Sequence, residues 1–192
     1  QVKIETISWT GQSLERVEDA ALLTGRGRFI DDLGVRPGTL HAAILRSPHA
    51  HADILSVDVA AAAVMPGVAA GITGRDLARL TTPMVAGLKV AVENWPMAVE
   101  RVRYVGEPVA IVVAADRYLA EDGLDAIEVE YRPLPCVVDP LASLEPDAPV
   151  LHDKAGGNLV SDRRFRYGDP EAAFAEAAHH VEVTIAYPRN TG

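Results

Sequence analysis

The chain has 192 residues, 48% hydrophobic and 23% charged, an ordinary globular balance with enough length for one core and part of a second. Its net charge of −9 argues against nucleic acid as a partner, and the sequence contains neither an apolar run long enough to span a bilayer nor a signal-peptide pattern. The single cysteine, Cys136, rules out an internal disulfide or an iron–sulfur cluster held by this chain alone, and it suits a reducing, cytoplasmic setting. Aromatic residues make up only 5%, so the core must be built mainly from Val, Ala, Leu and Ile. The first residue is Gln1 rather than Met, which predicts a chain trimmed, processed or cut from something longer.

Residues 1–19 have weak periodicity and read as an arm. "RFIDD" (28–32) reads as a short strand running into an acidic turn, and "GVRPGTL" carries turn chemistry in Pro37 and Gly38. "LHAAILRS" and "ADILSVDV" are predicted strands, with Ser47-Pro48 at the bend between them. The alanine-rich "DVAAAAVMPGV" predicts a short helix stopped by Pro66-Gly67, followed by a strand in "GVAAGITGRDL" and a helical stub at Asp76. Residues 79–98, with three prolines, read as a long loop.

The clearest unit is residues 101–135. "VAIVVAA" has no polar alternation, the pattern of a strand buried on both faces. Asp116 is placed to cap a helix running to about Ile127, and Gly123 inside that helix costs about 1 kcal/mol against Ala. "IEVEY" alternates as a half-exposed strand ended by Pro133 and Pro135. Strand, helix and strand together predict an α/β layer. Beyond it, 141–157 reads as a short helix and linker, and "LVSDRRFRYG" as a strand. In "DPEAAFAEAAH" Asp169 is the N-cap, Pro170 the first helical residue, and Phe174 faces inward. "HVEVTIAYPR" alternates as a strand, so residues 158–192 look like an unfinished second domain.

The candidate sites are modest. His49 and His51 stand two apart in a stretch that reads as strand, a spacing that turns both imidazoles to one face and is a common start for a metal site. Neither forms a His-x-x-x-His or His-Glu-x-x-His pattern, and packing or hydrogen bonding is the commoner use of such pairs. Gly25 and Gly27 in "TGRGRF" lack the strand-then-helix setting of a phosphate cradle. Asp31 and Asp32, Glu128 and Glu130, and Glu121, Asp122 and Asp125 read as solvated acids. Cys136 has no neighbour to activate its thiol, and Ser47 sits in no nucleophile elbow.

Five segments carry a resemblance by their order and spacing: "RVEDAALLTGRGRFIDD", "LHAAILRSPHAHADI", "MPGVAAGITGRDL", "VRYVGEPVAIVVAADRYLAEDGLDAIEVEYRPLPCVVDP" and "LHDKAGGN". Together they resemble the N-terminal part of the molybdopterin-binding large subunit of the xanthine dehydrogenase, aldehyde oxidase and carbon monoxide dehydrogenase family. The resemblance implies an α/β (α+β) fold, with an α/β-hammerhead domain over 20–140 and, at 158–192, the beginning of the first molybdopterin-binding domain. It implies oxidative hydroxylation of an aldehyde, purine or N-heteroaromatic substrate, or oxidation of carbon monoxide. Water would supply the oxygen, and electrons would pass to [2Fe–2S] clusters and FAD.

The implied partners are the remainder of the large subunit, an FAD-binding medium subunit and a [2Fe–2S] small subunit, in a dimer of heterotrimers or larger. The family's pterin loops, its Gln and Phe-Gly elements and its base glutamate match no position here. The resemblance therefore assigns this chain no catalytic, cofactor-binding or metal-binding residue and implies a structural and assembly role. Two other readings are a stand-alone hammerhead binding or scaffold module, and a small metal hydrolase built on His49 and His51.

Overall fold

Val109, Ala110, Val112 and Ala114 are almost wholly buried, in the strand whose sequence is apolar on both faces. The computed structural model describes residues 9–86, 92–185 and 187. That strand, β7 (Pro108–Ala114), is the centre of a three-stranded sheet between β1 (His41–Arg46) and β3 (Val68–Thr73), antiparallel to both. Ile44, Ile111 and Ile72 lie opposite one another across it. A second antiparallel sheet has β2 (Ala52–Asp58) between β6 (Arg101–Val102) and β8 (Glu128–Pro133).

Helix α4 (Arg117–Asp125) joins the two sheets and packs on β1 and β7 of the first. Asp116 caps it, accepting from Leu119 N at 2.9 Å, as the sequence predicts. The strand–helix–strand unit is thus an α/β arrangement with a different topology from a single layer, because β7 and β8 belong to separate sheets. A short α2 (Ala60–Ala63) rests on β3 and α4. The core between the sheets is Ala52, Ile54, Ala98, Val102 and Val109, flanked by Val57, Val129 and Tyr131.

Several local expectations are corrected. "RFIDD" is no strand: Ile30–Leu33 is a 3-10 turn, and the Asp32 carboxylate accepts from Phe29 N at 2.9 Å, a local closure that competes with strand pairing. The short α1 (Asp19–Leu23) precedes it. The stub α3 (Gly74–Ala78) begins at a Thr73 cap rather than at Asp76. The Thr73 hydroxyl accepts from Asp76 N, and the Asp76 carboxylate accepts from Thr73 N. The loop expected over 79–98 contains a hairpin, β4 (Met84–Ala86) against β5 (Val92–Asn94); its residues 87–91 lie outside the described residues.

In α5 (Pro170–Glu176) Asp169 caps and Pro170 opens the helix as predicted. Phe174, however, is 63% exposed, with its ring edge-on to His180. Residues 159–168 and 181–185 are not strands; Val181, Val183 and Ile185 alternate as the sequence suggests but remain exposed. An alternating segment becomes a strand only where a neighbour takes its backbone hydrogen bonds, and none does so among the described residues.

One line of paired charge crosses the second sheet. Asp53 on β2 lies opposite Arg101 on β6 and Arg132 on β8. Arg101 Nε donates to it at 2.7 Å and Arg132 Nη2 at 2.6 Å. Its side chain is 15% exposed, and the Arg132 and Arg101 bonds hold its carboxyl below the ordinary value of 3.8 against the opposing pull of burial. A depressed carboxylate contributes stability that is complete above its unfolded value and lost as pH falls through the folded one. The protein is therefore expected to lose stability on acidification below about pH 4, and Asp53→Asn to flatten that part of the profile while costing roughly 1–3 kcal/mol at neutral pH, read from urea midpoints.

Two glycines are fixed by close approach. A Cβ on Gly123 would meet Val112 Cγ1 at 2.7 Å, so the residue that weakens α4 as a helix is the one that lets it lie on β7. A Cβ on Gly74 would meet the Ala98 carbonyl oxygen at 1.9 Å, and backbone yields less than a side chain. Gly123→Ala is expected to destabilise by about 1–3 kcal/mol despite its better helix propensity. Gly74→Ala should cost more; thermal unfolding of the two variants checks the order.

Candidate functional site

His49 and His51 lie in the bend between β1 and β2 rather than within a strand, and the bend sends them to different tasks. Ser47 is buried. Its Oγ accepts from His49 N at 3.0 Å and lies 3.0 Å from His49 O, closing a tight turn. Ser47 N donates to Glu107 O and Gly106 N to Ser47 O, which ties the bend to the Gly106-Glu107 turn ahead of β7. The His49 ring stands edge-on to Tyr131, with centroids 4.9 Å apart. His51 is 6% exposed and holds the chain leaving β8: its carbonyl accepts from Leu134 N, and its Nδ1 lies 2.6 Å from Pro135 O. A carbonyl only accepts, so Nδ1 carries a hydrogen, and Nε2 is buried and without a partner among the described residues.

The other candidates are scattered. Gly25 lies just after α1 in a left-handed turn, and Gly27 is packed against Leu22. Asp31 sits on the 3-10 turn that Asp32 closes. Glu128 and Glu130 are exposed on β8, and Glu121, Asp122 and Asp125 on the outer side of α4. Cys136 is a free, exposed thiol just beyond β8. Among the described residues no group of three or more His, Cys, Asp and Glu is placed to hold a metal ion.

The concave site is elsewhere. A cleft of about 590 Å³ lies between β5, the segment 98–107 and residues 151–154; its walls include Trp95, Tyr104, Arg101, Arg103, Glu107 and His152. Arg101 spans two carboxylates, donating through Nε to Asp53 and through Nη1 to Asp153 at 2.9 Å. Arg103 donates to Leu151 O at 2.8 Å and to Arg101 O at 3.3 Å. Lys154 Nζ meets both oxygens of Glu93 at 2.9 Å. Burial pushes the Glu107 carboxyl up, and the backbone N–H of Arg103, which donates to it, pulls the other way. Burial and the Arg103 cation both push the His152 imidazole down, against the pull of the Asp153 carboxylate.

No motif announces this arrangement. Its one available signal is a charge inside an apolar strand, Asp53 in "ADILSVD", together with the alternation of Arg101 and Arg103. Asp153 and Lys154 enter from residues read as linker, about fifty positions away.

The residues present do not fit the redox groups the family uses. A [2Fe–2S] cluster takes four cysteine thiolates, and the chain has one cysteine. A phosphate-bearing pterin needs free cations or open backbone N–H groups. In the cleft Arg101 and Lys154 are committed to carboxylates and Arg103 to carbonyls, and Glu93, Glu100 and Glu107 also line the walls.

Residues 24–135 match the family model described as aldehyde oxidase and xanthine dehydrogenase, a/b hammerhead domain. The carbon monoxide dehydrogenase large chain of Afipia carboxidovorans is 42% identical over 97% of this chain and 24% of its own length. The 6-hydroxypseudooxynicotine dehydrogenase complex subunit gamma of Paenarthrobacter nicotinovorans is 39% identical over 96% of this chain and 24% of its own length. The crystal structure of quinoline 2-oxidoreductase from Pseudomonas putida 86 superposes with a TM-score of 0.75 at 43% identity, over 88% of this chain and 22% of that one. The chain thus spans about a quarter of the length of the curated relatives it matches. With a double-sheet fold, a family model covering more than half its residues and relatives matching nearly all of it, this chain belongs to the aldehyde oxidase and xanthine dehydrogenase family and carries that family's α/β-hammerhead domain.

Proposed function

We propose that this chain is the hammerhead-bearing portion of the large subunit of a molybdenum hydroxylase, contributing structure and assembly to the enzyme. The observation that carries the reading is the match of nearly the whole chain, at about 40% identity, to large subunits of such dehydrogenases. In the complete enzyme the substrate, an aldehyde, a purine, an N-heteroaromatic or carbon monoxide, would be oxidised with water as oxygen source. Molybdopterin, [2Fe–2S] clusters and FAD would be held by other polypeptide. Residues 158–192 would begin the first molybdopterin-binding domain. The partners would be the rest of the large subunit, an FAD subunit and an iron–sulfur subunit, in the cytoplasm.

Relatives named for carbon monoxide, for 6-hydroxypseudooxynicotine and for quinoline match this chain almost equally well. Similarity here therefore does not choose among chemically different substrates, which agrees with a segment that shapes the enzyme rather than its pocket.

The test is isolation of the polypeptide from its native source under mild conditions, with analysis for molybdenum, iron and flavin. The expected result is co-elution of all three with further polypeptides and dehydrogenase activity toward one of the substrate classes. A monomer that carries none of them sinks the proposal in favour of a stand-alone module. The metal content should be the same in His49→Ala and His51→Ala variants; a loss would point instead to the hydrolase reading.

A further inference from the structure

We propose that residues 139–158 form an electrostatically latched strap over the cleft, able to open as a unit while both sheets stay folded. The strap is braced from within. The Asp139 carboxylate accepts from Leu141 N at 2.7 Å and Ala142 N at 3.0 Å. At its other end Asn158 ties the loop to itself: Oδ1 accepts from Leu151 N at 3.1 Å, and Nδ2 donates to Ser143 O at 3.0 Å and Pro149 O at 2.9 Å. Those five bonds shape the closed strap, and the amides of Leu151, Ala155 and Gly156 are bonded inside it.

Its hold on the sheets is different in kind. Arg101–Asp153, Lys154–Glu93 and the Arg103 guanidinium on Leu151 O carry it. Asp153 and Lys154 have side chains 69% and 78% exposed, where ion pairs are weak and screened by salt. Among the described residues, the buried apolar residues all fall between Ala52 and Ala120, so none belongs to the strap. A segment held by exposed charge and contributing no core residue is a low-stability unit of the kind that opens locally. Opening removes Leu151, His152 and Lys154 from the cleft wall.

Asp53 makes the latch one-sided. With Asp53 engaged by Arg132 as well, Arg101 stays anchored to the sheet when Asp153 leaves. The open state therefore keeps the Arg101–Asp53–Arg132 pairs on the sheet and leaves Arg101 with a carboxylate partner.

Hydrogen exchange on the intact protein, with whatever partners it carries, tests this. Raising salt from low to high concentration is expected to speed exchange of the amides of 151–156 by roughly fivefold, the scale of two exposed ion pairs. The amides of Val109–Ala114 should not change. Asp153→Asn with Lys154→Gln should reproduce the effect at low salt and abolish its salt dependence, whereas exchanging the charges at 93 and 154 (Glu93→Lys with Lys154→Glu) should restore protection at that pair. Exchange in 151–156 that ignores both salt and substitution, or that rises only together with Val109–Ala114, overturns the proposal. The salt series needs no variant, so a poorly folding mutant does not leave the question open.

Discussion

The strand Pro108–Ala114 is used on both faces, and this one constraint organises the rest. Val112 meets α4 so closely that a Cβ at position 123 would press on its Cγ1, while Val109 belongs to the core shared with Ala52, Ile54, Ala98 and Val102. A single strand thus joins the helix-covered sheet to the second sheet. It has no room for a polar side chain on either face, because a buried polar group without a partner is costly. Polar function is pushed outward, to the bend at Ser47–His51, the Gly106-Glu107 turn and the line of charge at Asp53.

What the sequence made legible follows from interactions that are local or that leave a repeating mark. The unbroken apolar run at 108–114 announced a strand buried on both faces, and Asp116, Asp169 and Pro170 announced helix starts, because capping is settled within three residues. The order of five short segments carried the family and the fold class. The rest depended on pairings between distant residues. Nothing in "VENW" shows that Val92–Asn94 will find Met84–Ala86. The alternation at 181–187 was real, but a period of two gives a face without supplying a neighbour.

The candidate site was the least legible part. His49 and His51 attract notice because two imidazoles are close in sequence, yet a bend of three residues is enough to send one against Tyr131 and the other onto Pro135 O. The cleft, by contrast, draws its walls from residues 93–107 and 151–154 and its charge balance from Asp53, and none of these forms a motif. Its groups with shifted protonation carry simple physical causes. Glu107 is half-buried while its carboxylate braces the backbone of its own turn, and His152 is half-buried beside a cation.

An active site keeps some of its strong polar groups unspent, aimed at where charge will develop in a reaction. Here they are spent. Arg101 is shared by two carboxylates, Asp53 by two arginines, Lys154 holds Glu93, and Arg103 reaches across to a main-chain carbonyl. Each bond joins segments far apart in sequence: 53 to 132, 101 to 153, 93 to 154. Charge used in this way fixes the relative placement of elements that share little apolar contact.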